Sequence, residues 1–181
     1  MNGRLFLARL YLPAGLRRRK LEELLLLTAR AFDAPPPALR GLSLDELLRK
    51  FAEFSNERAA RILDAQARLA ETERALFDGA SRLGQEIRGT LRVSSPREAM
   101  TAARILYRSL GIDLRGGPGG EIVIRRCYFS GLYSSDVCRL MSSLDAGILS
   151  GLAGGGGLRF AERITEGRDC CRARFSFKEE S

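Results

Sequence analysis

The chain has 181 residues, 45% hydrophobic and 29% charged, which suits one well-buried core and is short for two. It contains no histidine, which excludes Ser-His and Cys-His catalytic pairs and every His-ligated metal site. Its net charge of +8 rests on 27 Arg and 3 Lys, spread thinly apart from Arg17-Arg18-Arg19-Lys20; the dense basic face with interleaved aromatics of a nucleic-acid binder is missing, so nucleic acid is not an expected partner.

Four cysteines in a chain of this size fit a reducing cytosol better than a disulfide scaffold, and a cytoplasmic setting is expected. The N-terminal apolar run is interrupted by Arg9, has its basic cluster behind it and is far too short to span a bilayer, so neither a secretory signal nor a membrane partner is expected. Residues 4–12 alternate loosely and fit a short strand or an amphipathic lead-in equally well. Leu16 to Phe32 predicts a helix, with Leu21, Leu24, Leu25, Thr28, Ala29 and Phe32 at helical spacing. Pro35-Pro36-Pro37 ends it as a rigid turn.

Ser43 with Glu46 forms a capping box, and the apolar stripe that follows runs from Leu44 to Ile87. One helix over 43–88 would be about 69 Å long, against roughly 40 Å for a compact domain of this size. It must therefore break, protrude or pack against a second subunit, and the last of these makes a homodimer through the helical region an expectation. Ser55-Asn56 and Asp78-Gly79 are the natural break points, giving two or three helices. Ser95-Pro96 then starts a helix that runs to Leu110 and stops at Gly111.

Strands are expected at 112–115 and 121–129, joined by a glycine-rich loop. That loop connects two strands, not a strand and a helix, which argues against a nucleotide cradle. A helix capped by Ser134 or Ser135 and ending near Leu152 follows, then strands at about 158–165 and 170–177. The whole predicts an α+β fold in a single domain. A mostly helical layer over residues 1–93 packs on an α/β segment over 94–181, whose antiparallel sheet has the order β-β-α-β-β and which carries the candidate site.

Within the α/β segment, Cys138, Met141, Asp145, Ile148 and Leu152 share one helical stripe. A carboxylate there calls for explanation, because a buried charge is costly unless paired or hydrogen-bonded. On the strand before it, Ile122, Ile124, Arg126 and Tyr128 share one face, and Val123, Arg125 and Cys127 the other. If the first set is inward, Arg126 is the natural partner of Asp145 or of a ligand's carboxylate; if the second is, Cys127 enters the pocket. In the last strand Cys171 is in phase with Ala173, Phe175 and Phe177, while Cys170 faces the other way. A zinc site from Cys127, Cys138 and Cys171, with Asp145 or Glu162, is a further alternative, although no C-x-x-C spacing supports it.

The stretches GLSLDELLRKFAEFS (41–55), LYRSLGIDL (106–114), RCYFSGLYSSDVCRLMSSLDAGILSGL and ITEGRDCCRARF resemble the L-2-amino-thiazoline-4-carboxylic acid hydrolase-like family of bacterial proteins. The most specific features are Cys127, then Cys138 and Asp145 on one helix, then Gly167-Arg168-Asp169-Cys170-Cys171. A more distant likeness is to the 4-vinyl reductase-type ligand-binding domain. The first resemblance implies hydrolysis of a small cyclic amidine or amide-like C–N bond. For that chemistry the roles expected from the residues are Asp145 as the base, Arg126 as the carboxylate clamp and Cys138 or Cys171 as pocket wall or thiolate, with Tyr128, Cys127 and Met141 as further substrate contacts. The alternative is a non-catalytic small-molecule-binding or sensor domain with a cysteine-lined pocket.

Overall fold

Ser43 starts the first of the two longest helices as its sequence context demands: its hydroxyl accepts from the Glu46 N–H while the Glu46 carboxylate accepts from the Ser43 N–H at 2.7 Å. The computed structural model describes residues 3–10, 13–66 and 68–178, and the side chains of all of these but 7–10. In chain order the elements are α1 (Gly3–Leu10), α2 (Ala14–Ala31), α3 (Leu44–Ala65), α4 (Leu69–Leu91), α5 (Pro96–Ser109), β1 (Leu114–Gly116), β2 (Glu121–Ile124), α6 (Ser135–Ala153), β3 (Gly156–Glu162) and β4 (Cys171–Phe177). Short 3-10 turns occupy Tyr128–Gly131 and Ile164–Glu166. The fold is α+β, with the helices first. The ambiguous lead-in is helical over Gly3–Leu10; residues 11 and 12 lie outside the described residues.

The long apolar stripe of 43–88 is divided once, at 66–68, where Gln66 and Arg68 both take left-handed backbone (φ 48° and 64°). Neither predicted break point is used. Ser55 is fully buried, and its hydroxyl is committed to the Phe51 carbonyl (2.6 Å) and the Tyr133 hydroxyl (2.5 Å), so it holds α3 together. Gly79 lies inside α4, where a side chain would meet Leu27 of α2 at 3.5 Å. The actual corner is held from outside by Arg68, which pairs with Glu71 at 2.9 Å and Asp33 at 3.2 Å.

α6 is the central element, buried on most of its circumference from Val137 to Leu152. Its contact with α4 is the most extensive between any two helices. Glycine makes this possible: a Cβ at Gly84 would lie 2.5 Å from the Ile148 carbonyl oxygen, and one at Gly147 or Gly151 would fall on the carbonyl of Phe77 or Ser81. The backbones therefore touch.

The sheet is antiparallel in the order β1-β2-β4-β3, with Ile124 opposite Cys171 and Phe160 opposite Ala173. Leu114, Ile122, Ile124, Cys171, Ala173 and Phe175 are buried in the core that the helices share. The outer face is charged, with Arg172 bonded to Glu162 at 3.1 Å. β2 ends at Ile124, earlier than the predicted run to Phe129. Arg125 and Arg126 are both exposed, which breaks the two-residue period and turns the chain so that Cys127 and Phe129 face inward.

Candidate functional site

Four stretches of chemistry-bearing sequence meet beneath α6. Its N-terminus is fixed by Ser134, whose hydroxyl accepts from the Val137 N–H at 3.2 Å. From there Cys138, Met141, Ser142 and Asp145, at spacings of three and four, line a cavity of about 70 Å3. The 3-10 turn after β2 adds Cys127 and Phe129, α5 adds Tyr107, and the β3–β4 end adds Phe160, Arg163 and Cys171.

Asp145 lies deep among protein atoms yet keeps some accessible surface, and the cavity reconciles the two. The Tyr107 hydroxyl donates to Asp145 Oδ1 at 2.7 Å. Burial pushes the carboxyl from its usual 3.8 up to about 6; the Tyr107 hydrogen bond and the nearby Arg163 charge act against that rise. Tyr107 is raised well above the ordinary tyrosine value, by burial first and by the Asp145 charge second, so it stays a donor. Exchanging Tyr107 for Phe removes that donor and leaves the ring. Asp145 is then expected to titrate above 6, and stability at neutral pH to fall by about 1.5–3 kcal/mol, a charge-assisted hydrogen bond's worth; carboxyl NMR and urea unfolding read both.

Arg163 is the cation of the site. It stands just beyond the β3 irregularity between Phe160 and Glu162, with its guanidinium 4.0 Å from the Phe160 ring centroid. Nη1 donates to Ser142 Oγ at 2.7 Å and approaches Cys138 Sγ at 3.9 Å, while Nε lies 3.8 Å from Glu166. Glu166 is itself held by Arg139 at 2.8 Å, so Arg163 keeps capacity for another anion.

Of the residues singled out in the sequence, Asp145, Cys138, Cys127, Met141 and Cys171 line this one cavity. Arg126 and Tyr128 do not. Arg126 is exposed and borders a different depression, because the chain turns after Ile124. Tyr128 is 38% exposed on the outside, and Phe129, edge-on to it at 5.6 Å, fills the inward place. The charge facing Asp145 is thus Arg163, not Arg126.

The zinc alternative fails on donor geometry: among the described residues no three His, Cys, Asp or Glu side chains are grouped to hold a metal ion. Glu162 points away to Arg172. Burial drives the Cys127 thiol up to about 12 and raises Cys171, whose sulfur accepts from the Ile164 N–H at 3.3 Å. Cys170 lies in the bend before β4 and is half-buried.

Tyr107, Ser142, Phe160 and Arg163 escaped sequence reasoning. Tyr107 sits at an ordinary core spacing in α5, and Arg163 reaches α6 from a segment 21 residues beyond Ser142. Comparisons of the chain with family models, curated proteins and solved structures returned no match. Among the described residues no helix is long and apolar enough to cross a membrane.

Proposed function

We propose that the cavity beneath α6 binds a small organic molecule with a basic C–N group at one end, set against Asp145, and an acidic group at the other, set against Arg163. The observation that carries this reading is the placement of Asp145: a deep carboxylate whose protein hydrogen bond comes from one neutral hydroxyl, facing open space and a guanidinium. A buried charge so lightly provided for is costly to the fold and useful to a ligand. Size bears on the ligand. Since roughly 150 Å3 accommodates benzene, about 70 Å3 takes a few heavy atoms as it stands, and a five-membered ring requires Met141 or Arg163 to swing aside.

The likeness of Cys127, Cys138, Asp145 and Gly167–Cys171 to the 2-amino-thiazoline-4-carboxylate hydrolase-like family suits such a ligand, which combines a cyclic amidine with a carboxylate. The catalytic form of the proposal is hydrolysis of that C–N bond. A carboxyl titrating near 6 is a competent general base for water at neutral pH, and this favours the catalytic form. Arg163 takes the clamp role expected of Arg126. Cys138 and Cys171 then serve as walls of the pocket. The setting is cytoplasmic, in keeping with four free thiols. The geometric reason for a dimer through the helices falls away with the turn at 66–68.

The test uses 2-amino-thiazoline-4-carboxylate with the wild type, Asp145→Asn and Arg163→Gln. Ligand-induced stabilisation in the wild type alone supports the binding reading. Product formation that Asp145→Asn abolishes, with its fold intact, supports hydrolysis. A wild type that neither binds nor converts the compound rejects the ligand class, and a fully active Asp145→Asn rejects the assigned base.

A further inference from the structure

A second depression, of about 140 Å3, lies on the other side of Ile112 from the Asp145 cavity. Its rim carries three guanidiniums: Arg104 and Arg108, one turn apart on α5, and Arg126, from the segment after β2. We propose that this depression binds a phosphate or diphosphate group of a small molecule.

Its arginines differ from those that face acids on α2 and α3. On α2 and α3, arginines four residues from another charge face an acid: Arg18 with Glu22 at 2.8 Å, Arg19 with Glu23 at 3.4 Å, Arg61 with Glu57 at 2.6 Å. Arg104 and Arg108 have each other at that spacing, a repulsive arrangement on a helix. Among the described residues, none of the three rim arginines has a carboxylate within ion-pair distance. The one acid at the depression, Asp113, lies 3.9 Å from Arg115.

The favourable interaction of a cation with a helix C-terminus accounts for Arg108, in the last turn of α5, but not for Arg104 or Arg126. The scaffold under Arg126 is firm. Asp113 N–H donates to the Arg126 carbonyl at 2.8 Å, and Arg125 N–H donates to the Asp113 carbonyl at 3.2 Å, extending the β1–β2 pairing. Arginine forks match the tetrahedral oxygens of phosphate, and several unpaired ones about a single depression favour a multivalent anion over a carboxylate. The site stands apart from Asp145, so it holds or fails independently of the function proposed above.

Isothermal titration of the full chain with inorganic pyrophosphate, and separately with inorganic phosphate, is the test. Pyrophosphate is expected to bind once per chain at about 0.15 M salt, where surface charges more than a Debye length apart are screened. Arg126→Gln and the double variant Arg104→Gln/Arg108→Gln are each expected to weaken binding at least tenfold. Arg97→Gln, an exposed arginine on α5 away from the depression, is expected to leave it unchanged. All four side chains are exposed, so the variants keep their fold, which thermal unfolding verifies. Absence of saturable binding at millimolar pyrophosphate overturns the proposal, as does an equal loss in Arg97→Gln. A short single-stranded RNA that binds a hundredfold more tightly than pyrophosphate overturns the small-molecule assignment.

Discussion

Gly151→Val is expected to leave little folded protein. A Cβ at Gly151 falls on the Ser81 carbonyl oxygen and lies 2.8 Å from Gln85 N and 2.9 Å from Gly84 Cα, all backbone atoms of α4. No side-chain rotation relieves such contacts, so the helices must separate along their most extensive interface. Overpacking a core ordinarily costs about 1–3 kcal/mol, and here several backbone contacts are violated together. A loss above about 4 kcal/mol is expected, against a total stability on the order of 5–15 kcal/mol. Gly89→Ala, on the same α4 but with nothing within 4 Å of the added carbon, is the control. It is expected to be neutral or stabilising by up to about 1 kcal/mol, through helix propensity alone. Thermal unfolding by circular dichroism separates the two; similar melting temperatures would disprove the close α4–α6 crossing.

Asp145→Asn is expected to stabilise the protein at neutral pH. The folded-state value of about 6 lies above the usual 3.8, so the native state holds the proton more tightly than the unfolded chain does. The stability contributed by the protonated carboxyl is fully present below about pH 4 and is lost as pH rises through 6. Over that interval the loss is about 3 kcal/mol, at 1.36 kcal/mol for each pH unit separating the two values. Asparagine keeps an oxygen for the Tyr107 hydroxyl and never ionises. The variant is therefore expected to be about 1–3 kcal/mol more stable than the wild type at pH 8 and close to it at pH 4, with the slope between pH 4 and 7 reduced. Urea unfolding at a series of pH values reads this. Parallel stability profiles, or a variant several kcal/mol weaker at pH 8, would show that the carboxylate serves the fold. A group that destabilises the fold where it is charged is kept for another purpose, and binding is the purpose its position suits.

Local chemistry was legible from the residues. The Ser43–Glu46 box, the Ser95 and Ser134 caps, and the inward phase of Cys171, Ala173 and Phe175 each depend on groups a few positions apart. Asp145 stood out because one carboxylate on an apolar helical stripe contradicts its surroundings. The corner at 66–68 was hidden because neither Gln66 nor Arg68 is a residue that favours left-handed backbone. The early end of β2 was hidden because apolar residues resume at Cys127, Tyr128 and Phe129 and no glycine or proline marks the bend. Arg163 and Tyr107 reach Asp145 through tertiary packing between segments far apart in sequence, which no spacing rule encodes. Arg126 would face Asp145 only if 121–129 formed one unbroken strand, and the bend after Ile124 sends it elsewhere.

The most direct measurement is the side-chain carboxyl 13C shift of Asp145 as a function of pH in protein labelled at aspartate, assigned by its loss in Asp145→Asn. A midpoint near 6, moving higher in Tyr107→Phe, is the expected result. A midpoint near 3.8 that ignores Tyr107→Phe would place the carboxylate in ordinary solvent and contradict the cavity, its ligand and the base together.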